Sequence, residues 1–547
     1  MSENAATSKD LSDPRPYSDI AHSGTAPGFI LLLAFLLRLW KASGTFLNLD
    51  EAMHCLAASR PSLAEAYRAG LGLAHPPLLI LLLNLWRRFG TSELSLRLPS
   101  VIAGTIFCWI FFKWLTRLLG PAAGWTGFVL ASFLPPFVEL SAEIRQYSLL
   151  LWFLIAAAYF LELAFAENAG KKMFLFFIFL YLAMLTHFSA ILFAGAVGVY
   201  SLWRLFSAPV SRTVVTMWIA GQAGALGLFV YLYITQIAAL KDSASSHNMQ
   251  MLLANSYFHR GHDHLLSFIF ARTFGVLQYT FGQLAVGDVA GVLFIYGIAL
   301  LLNAKRIEVE GINDPRAPSS QQLGIFLILP FVLNCLAAIV DLYPYGGTRH
   351  SAFLLPFAVA AVSVALANLT RQRLAYTWCI AFLVAAVCQV SGVPHRPYIP
   401  REDQRRAHMT EAIASIRQQV RPGDTIFVDF QTSFLLRFYF CPEVGYGVFS
   451  ASGLRQFACG GENIIATDAE TNILTADTFA HRLDDVVRAY DLKSGQTVWV
   501  FQAGWDANLA RNLQEKFPDF HNLQPESFGH NISLFKLIVG QPMASLQ

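Results

Sequence analysis

Until about residue 393 the chain alternates long apolar runs with short polar loops, and beyond it the pattern changes to brief β-like and amphipathic stretches. The first run is Gly28 to Trp40, GFILLLAFLLRLW. Further runs of membrane length, near the ~20 residues that a helix needs to cross the hydrocarbon layer, begin at about 98, 121, 146, 173, 189, 214, 288, 323, 351 and 375. Two apolar stretches do not qualify. Pro77 to Trp86, PLLILLLNLW, is too short and ends in Arg87-Arg88. Leu265 to Leu284 carries Arg272, Gln278 and Gln283 and reads as an interfacial helix.

With those two set aside, the basic loops collect on one side. Lys113, Arg117, Lys171-Lys172, Arg204, Arg212, Lys305-Arg306, Arg371 and Arg373 fall together, as the cytoplasmic face of a membrane protein requires. The expectation is about eleven spans, up to thirteen, with the N-terminus inside and the C-terminus outside. The polar segment 1–26 shows no short apolar core or small-residue cleavage site of a removable signal, and reads as a disordered cytoplasmic tail. Residues 27–393 form the membrane domain. Residues 394–547 read as an extracytoplasmic α/β domain: TIFVDF, TVWVFQAG and ISLFKLI are strand-like, while DDVVRAY and ANLARNLQEKF have helical spacing.

Composition agrees with this division. Of 547 residues 55% are hydrophobic and 14% charged, against ~25% charged in soluble domains. A net charge of +3 argues against nucleic acid as a partner. The seven cysteines have no zinc-type spacing. Cys441 and Cys459 could pair if their domain lies outside the cytoplasm.

Charge inside so apolar a chain needs a reason, and on this topology the ionisable residues converge on the outer face. The first outer loop holds Asp50, Glu51 and His54, then His75-Pro76-Pro77 at the start of an in-plane helix. The next holds Glu143, Arg145 and Tyr147 in SAEIRQYS. His187 ends a span and reads as a bundle-facing residue. A late loop holds Tyr345, Arg349 and His350 in YPYGGTRHS. The set suits attack by a hydroxyl on a sugar whose leaving group is a phosphate. Such a group departs without a proton, so one carboxylate base, Asp50, is enough. Arginine pairs bidentately with phosphate oxygens, which points to Arg145 and Arg349. Glu51 could position the acceptor, bind a cation or cap the following helix. If a metal takes part it is Mg²⁺ or Mn²⁺ on Asp50 and Glu51. His259, His262, Asp263 and His264 match no metal spacing and read as a solvated loop.

The order FLNLDEA, AHPPLLILLLNLWRRFG, SAEIRQYSLLLW, LTHFSAILF, TRHSAFLLPF resembles the GT-C membrane glycosyltransferases over about residues 27–370. It is most similar to the group that includes protein mannosyltransferases and lipid A aminoarabinose transferases. The resemblance implies a GT-C fold with in-plane juxtamembrane helices, a polyprenyl-phosphate sugar donor, inversion at the anomeric carbon and a periplasmic site in the bacterial cytoplasmic membrane. It implies Asp50 as the acid with Glu51 beside it. It implies His75, Arg145 and Arg349 at the donor phosphate, with Tyr147 beside Arg145, and the chain departs from it at His350, where a tyrosine often follows the arginine. Glu143, Tyr345 and His350 read as supporting residues from their place in the outer loops. The acceptor class stays open among glycolipid, polysaccharide and protein. A transporter or flippase of lipid-linked sugars, or a membrane scaffold, is the competing class. Transport would place charges at mid-membrane rather than at span ends.

Overall fold

The computed structural model describes residues 25–207, 209–241, 251, 253–303, 316–391, 404–441, 448–449, 453–459, 461–516 and 525–540. The tail expected over 1–26 lies almost wholly outside these residues, as do Lys305, Arg306 and most of the linker after His395. Among the described residues nine helices are long and apolar enough to cross a membrane. The longest, Glu93–Phe133, has 41 residues. At 1.5 Å per residue it is about twice the length one crossing needs. Gly120 breaks it with φ of 85°, a conformation open to glycine, and Pro121 starts the next segment. The chain folds back there, since Phe112 packs on Trp125 and Phe128 at ring distances of 4.8 and 4.9 Å. The starts near 98 and 121 are thus the two arms of one helical hairpin. The start near 173 is the shorter helix Gly170–Met184. Leu265–Phe281 is a helix of 17 residues, and Pro77 to Trp86 contains the nine-residue helix Leu78–Trp86.

A charge within this apolar bundle shows how proline is accommodated. Pro135 and Pro136 have no N–H, so the carbonyls of Ala131 and Ser132, four residues earlier, lose their helical donors. Arg38, fully buried on Thr25–Ser43, supplies the missing ones: Nη2 donates to Ala131 O at 3.0 Å and Nη1 to Ser132 O at 2.9 Å. Arg38→Met keeps the stem and removes the donors. We expect it to lower the melting temperature clearly, at ~1–3 kcal/mol for the Ser132 carbonyl left unpaired, while Ala131 O keeps only the weak Cys108 thiol donor at 3.4 Å among the described residues. An unchanged melting curve in lipid nanodiscs would remove this account.

The C-terminal region is one mixed sheet of seven strands: β1 (Thr425–Val428), β2 (Val448–Phe449), β3 (Leu454–Cys459), β4 (Glu462–Thr467), β5 (Thr497–Ala503), β6 (Glu526–Ser527) and β7 (Ile532–Ile538). Their order is β2-β3-β4-β1-β5-β7-β6. The centre β4-β1-β5 is parallel and the edges are antiparallel. All four residues of β1 are buried, which matches its unbroken apolar run. The helices Ala476–Ala489 and Leu509–Lys516 close one face. The other face shares a continuous apolar core with the membrane helices through Phe434, Leu435 and Met409. Cys441 and Cys459 form a disulfide. β3 and β4 are poorly marked in the sequence, because Arg455 and Gln456 break the apolar residues of β3 and β4 opens on Glu462 and Asn463.

This domain is docked firmly. Phe46 N–H donates to Gln404 O at 3.0 Å and Arg406 N–H to Gly44 O at 3.1 Å, so the linker pairs with the first loop. The helix Phe430–Tyr439 packs on Leu49–Ala58. At its end, Tyr439 Oη accepts from Leu47 N–H at 2.8 Å and donates to Glu93 at 3.0 Å.

Candidate active site

The helix Leu49–Ala58 begins with a capping box. Asn48 Oδ1 accepts from Glu51 N–H, and Glu51 Oε2 accepts from Asn48 N–H, both at 3.0 Å. Asp50 therefore lies in the first helical turn, where the dipole favours a carboxylate. Glu51 goes further than capping. It takes Arg97 through two bonds, Nε to Oε1 at 2.8 Å and Nη2 to Oε2 at 2.7 Å, and it also accepts from Ile144 N–H at 2.9 Å. Both side chains are only 1–2% exposed. Arg97 in turn donates to the carbonyls of Ala42, Thr45 and Phe46. The second acid, expected beside the chemistry, is thus committed to holding three segments together. Arg97 was missed, although a lone arginine near the start of an apolar helix calls for a buried partner.

This clamp sets the loop between Glu139 and Tyr147 against Asp50. Gly104 permits the approach, since a Cβ there would fall 2.0 Å from Ser141 Oγ. Arg145, 3% exposed, then reaches Asp50 Oδ2 with Nη1 at 3.0 Å. Arg349 arrives from nearly 300 residues away and donates to the same oxygen with Nη2 at 2.6 Å. Burial alone would raise the Asp50 carboxyl, but the charges of Arg145 and Arg349 outweigh it and hold the group well below the usual carboxylate range.

His75 flanks this centre, with Nε2 3.4 Å from Arg145 Nη2. Its ring stacks on His187 at 5.0 Å and on His54 at 6.2 Å, and Tyr147 closes the group 5.3 Å from His187. Burial and then the Arg145 charge lower His54 to about 4 and His187 to about 3. Burial, then His187 and Arg145, also bring His75 well below its ordinary value. These three imidazoles are neutral near pH 7. His350 is buried as well. Glu143 behaves oppositely: burial and then the Glu51 charge push it up to about 7. Tyr147 Oη and His187 Nε2 are buried and, among the described residues, have no hydrogen-bond partner.

The structure thus brings together Asp50, His75, Glu143, Arg145, Tyr147, Arg349 and His350. Tyr345 does not join them. It is buried, bonded to Thr273 Oγ1 at 2.6 Å, and belongs to the packing of Leu265–Phe281. Tyr343 stands nearer instead, 6.5 Å from His187, with its hydroxyl donating to His350 O. Two residues of the C-terminal domain also reach the site's surroundings, Tyr439 as above and Trp505, whose ring lies 5.9 Å from the Arg349 guanidinium. No local pattern marks either of them.

A divalent ion does not fit the Asp50–Glu51 pair, because it would have to displace Arg145 and Arg349 from one carboxylate and Arg97 from the other. Among the described residues no group of three or more His, Cys, Asp or Glu is arranged to hold a metal. His259 and Asp263 of the histidine-rich loop are exposed and pair with each other at 3.5 Å.

Residues 74–234 match the family described as dolichyl-phosphate-mannose-protein mannosyltransferase. That segment holds His75, Glu143, Arg145, Tyr147 and His187, and leaves Asp50 and Arg349 outside. No curated protein matches the sequence. Among solved structures, ArnT from Cupriavidus metallidurans bound to undecaprenyl phosphate is similar with a TM-score of 0.55 and 12% identity, covering 95% of this chain and 100% of that one. The apo state of the same protein gives 0.52 and 12%, covering 93% and 97%. An oligosaccharyltransferase of Archaeoglobus fulgidus in complex with zinc and sulfate is more distant, at 0.46 and 11%, covering 86% and 67%. The chain thus has a multi-pass helical membrane fold like that of ArnT, and within it residues 74–234 are similar to the dolichyl-phosphate-mannose-protein mannosyltransferase family.

Proposed function

We propose that the protein transfers a monosaccharide from a polyprenyl phosphate to an acceptor hydroxyl, with inversion, at the outer face of a bacterial cytoplasmic membrane. The observation that carries this is the convergence of Arg145 and Arg349, from separate ends of the fold, on one oxygen of Asp50. Two guanidiniums held that close together form a ready phosphate clamp. The undecaprenyl phosphate bound to ArnT supports a carrier of the same chemistry here.

In the reaction, the acceptor oxygen attacks the anomeric carbon, and the bond from that carbon to the phosphate oxygen breaks. Its electron pair leaves with the polyprenyl phosphate, whose growing charge Arg145 and Arg349 neutralise. The acceptor proton passes to Asp50. In the resting protein Asp50 is a weak base, because both arginines are paired with it. The incoming phosphate draws the arginines off and replaces two cations with an anion, so Asp50 gains basicity when the donor is in place. Glu51 serves as scaffold. Glu143, ionised, accepts from a hydroxyl of the donor sugar, and Tyr147 and His187 offer hydrogen bonds to the same sugar.

The outward orientation rests on the basic loops and on the Cys441–Cys459 disulfide, which an oxidising compartment favours. The site and the disulfide-bearing domain share one side, since Tyr439 and the linker touch the Asp50 region directly.

Sugar transfer by purified protein, offered a panel of polyprenyl-phosphate monosaccharides with glycolipid, polysaccharide and peptide acceptors, tests the reading. Failure with every donor and acceptor by a folded preparation would end it. The rate is expected to rise with pH through about 7 as Glu143 loses its proton. Asp50, far lower, and the neutral histidines contribute nothing in that range. In Glu143→Gln the limb should vanish, and a limb that persists at the same pH would show that another group titrates.

A further inference from the structure

The soluble domain takes part in the site through a contact that no local motif marks. Trp505 follows β5 on a turn that Gly504 makes possible with φ of 114°. Its main chain is gripped from below by one buried amide: Gln431 Nε2 donates to Trp505 O at 2.7 Å, and Trp505 N–H donates to Gln431 Oε1 at 3.2 Å. Gln431 lies on Phe430–Tyr439, the helix that packs on Leu49–Ala58 and is pinned to Leu47 and Glu93 through Tyr439. The backbone that carries the indole is therefore tied to the helix packed beside Asp50. From there the indole covers Arg349, whose guanidinium carbon is 5.9 Å from the ring centre. The contacts close a ring, from Asp50 through its helix, Phe430–Tyr439, Gln431, Trp505 and Arg349 back to Asp50.

Such a contact bears on how Arg349 meets the donor. Its side chain is 22% exposed, against 3% for Arg145, and its ion pair to Asp50 is the contact that a donor phosphate must break. When the phosphate displaces Asp50, the indole face remains against the guanidinium. A π face can do so without competing for the phosphate, because it attracts the cation and leaves the N–H groups free.

We propose that Trp505 is a positioning residue of the active site, lent by the C-terminal domain, which holds Arg349 in register for the phosphate of the polyprenyl carrier. The proposal rests on the transfer reading above, and it explains why that domain is locked to the first outer loop rather than hung on a flexible tether. It concerns binding of the carrier phosphate more than the chemical step.

The experiment is a titration of the full-length protein in nanodiscs with polyprenyl phosphate, comparing wild type, Trp505→Leu and Trp505→Phe, with melting curves for each. Leu keeps the bulk and loses the π face, and Phe keeps the face. We expect Trp505→Leu to bind about tenfold more weakly, with a melting temperature within a degree or two of Trp505→Phe, and Trp505→Phe to bind nearly as wild type does. In transfer assays the loss should fall on KM for the donor, with kcat little changed. Equal binding by Trp505→Leu and wild type would overturn the proposal while leaving the transfer reading intact. Equal weakening in Leu and Phe would also overturn it, since mere packing would then explain the residue. A wild-type protein that binds no polyprenyl phosphate at all would overturn the transfer reading and this proposal with it.

Discussion

Asp50→Asn is expected to abolish sugar transfer and at the same time to tighten the hold on polyprenyl phosphate. Loss of a positioned base costs ~10²–10⁴-fold in rate. The gain in binding follows from the resting geometry. Asp50 Oδ2 occupies Arg145 at 3.0 Å and Arg349 at 2.6 Å, so an incoming phosphate has to displace a carboxylate from both. An asparagine carries no charge and competes weakly. Charge-assisted hydrogen bonds contribute ~1.5–3 kcal/mol each, and recovery of even half of one such bond would lower Kd by several-fold. Transfer kinetics with a carrier titration on the same preparation would separate the two effects. Wild-type turnover in the variant would remove Asp50 from the chemistry. Lost turnover with lost carrier binding would mean that Asp50 is needed to organise the arginines, and not to take a proton.

The largest effect on stability is expected at Arg97. Arg97→Met leaves Glu51 charged and buried, and it strips the donors from the carbonyls of Ala42, Thr45 and Phe46. Breaking one side of a buried pair costs ~3–5 kcal/mol, a large share of the stability of most domains. Low yield and a sharply reduced melting temperature should follow. The double variant Glu51→Met/Arg97→Met removes both charges and should regain part of the lost stability. It should not regain activity, because Glu51 also holds Ile144 N–H and so fixes the loop that carries Arg145. A double variant with wild-type transfer would show that the loop finds its place without the clamp. A stable Arg97→Met single variant would show that the pair carries little.

Much of this was legible in the chain itself. Leucine-, phenylalanine- and alanine-rich runs of membrane length can only be helices, since lipid offers no partners to exposed backbone groups. The run starts near 98 and 121 were separable because Gly120-Pro121 interrupts them. Asp50, Arg145 and Arg349 stood out because charge at the end of an apolar span is costly enough to need a partner. The strands β1, β5 and β7 were visible as runs rich in β-branched and aromatic residues, TIFV, TVWVFQA and ISLFKLI, whereas β3 and β4, LRQFAC and ENIIAT, each with two adjacent polar residues, were not.

What each charge does was another matter. Asp50 and Glu51 are neighbours with the same chemistry, and their fates diverge: one meets two arginines at the site, the other is spent on Arg97 and two backbone N–H groups. Tyr343 and Tyr345 diverge likewise, one beside His187 and one bonded to Thr273. Trp505 gave no sign of a tie to Arg349, some 150 residues before it. The sequence by itself determined the helices, the side on which the charges gather and the kind of chemistry they suit, because burial cost and periodicity are local properties. Only the tertiary structure decided which carboxylate faces which arginine and which aromatic covers it. Pairing depends on distances between segments hundreds of residues apart, and those are set by packing of the whole bundle and its docked domain.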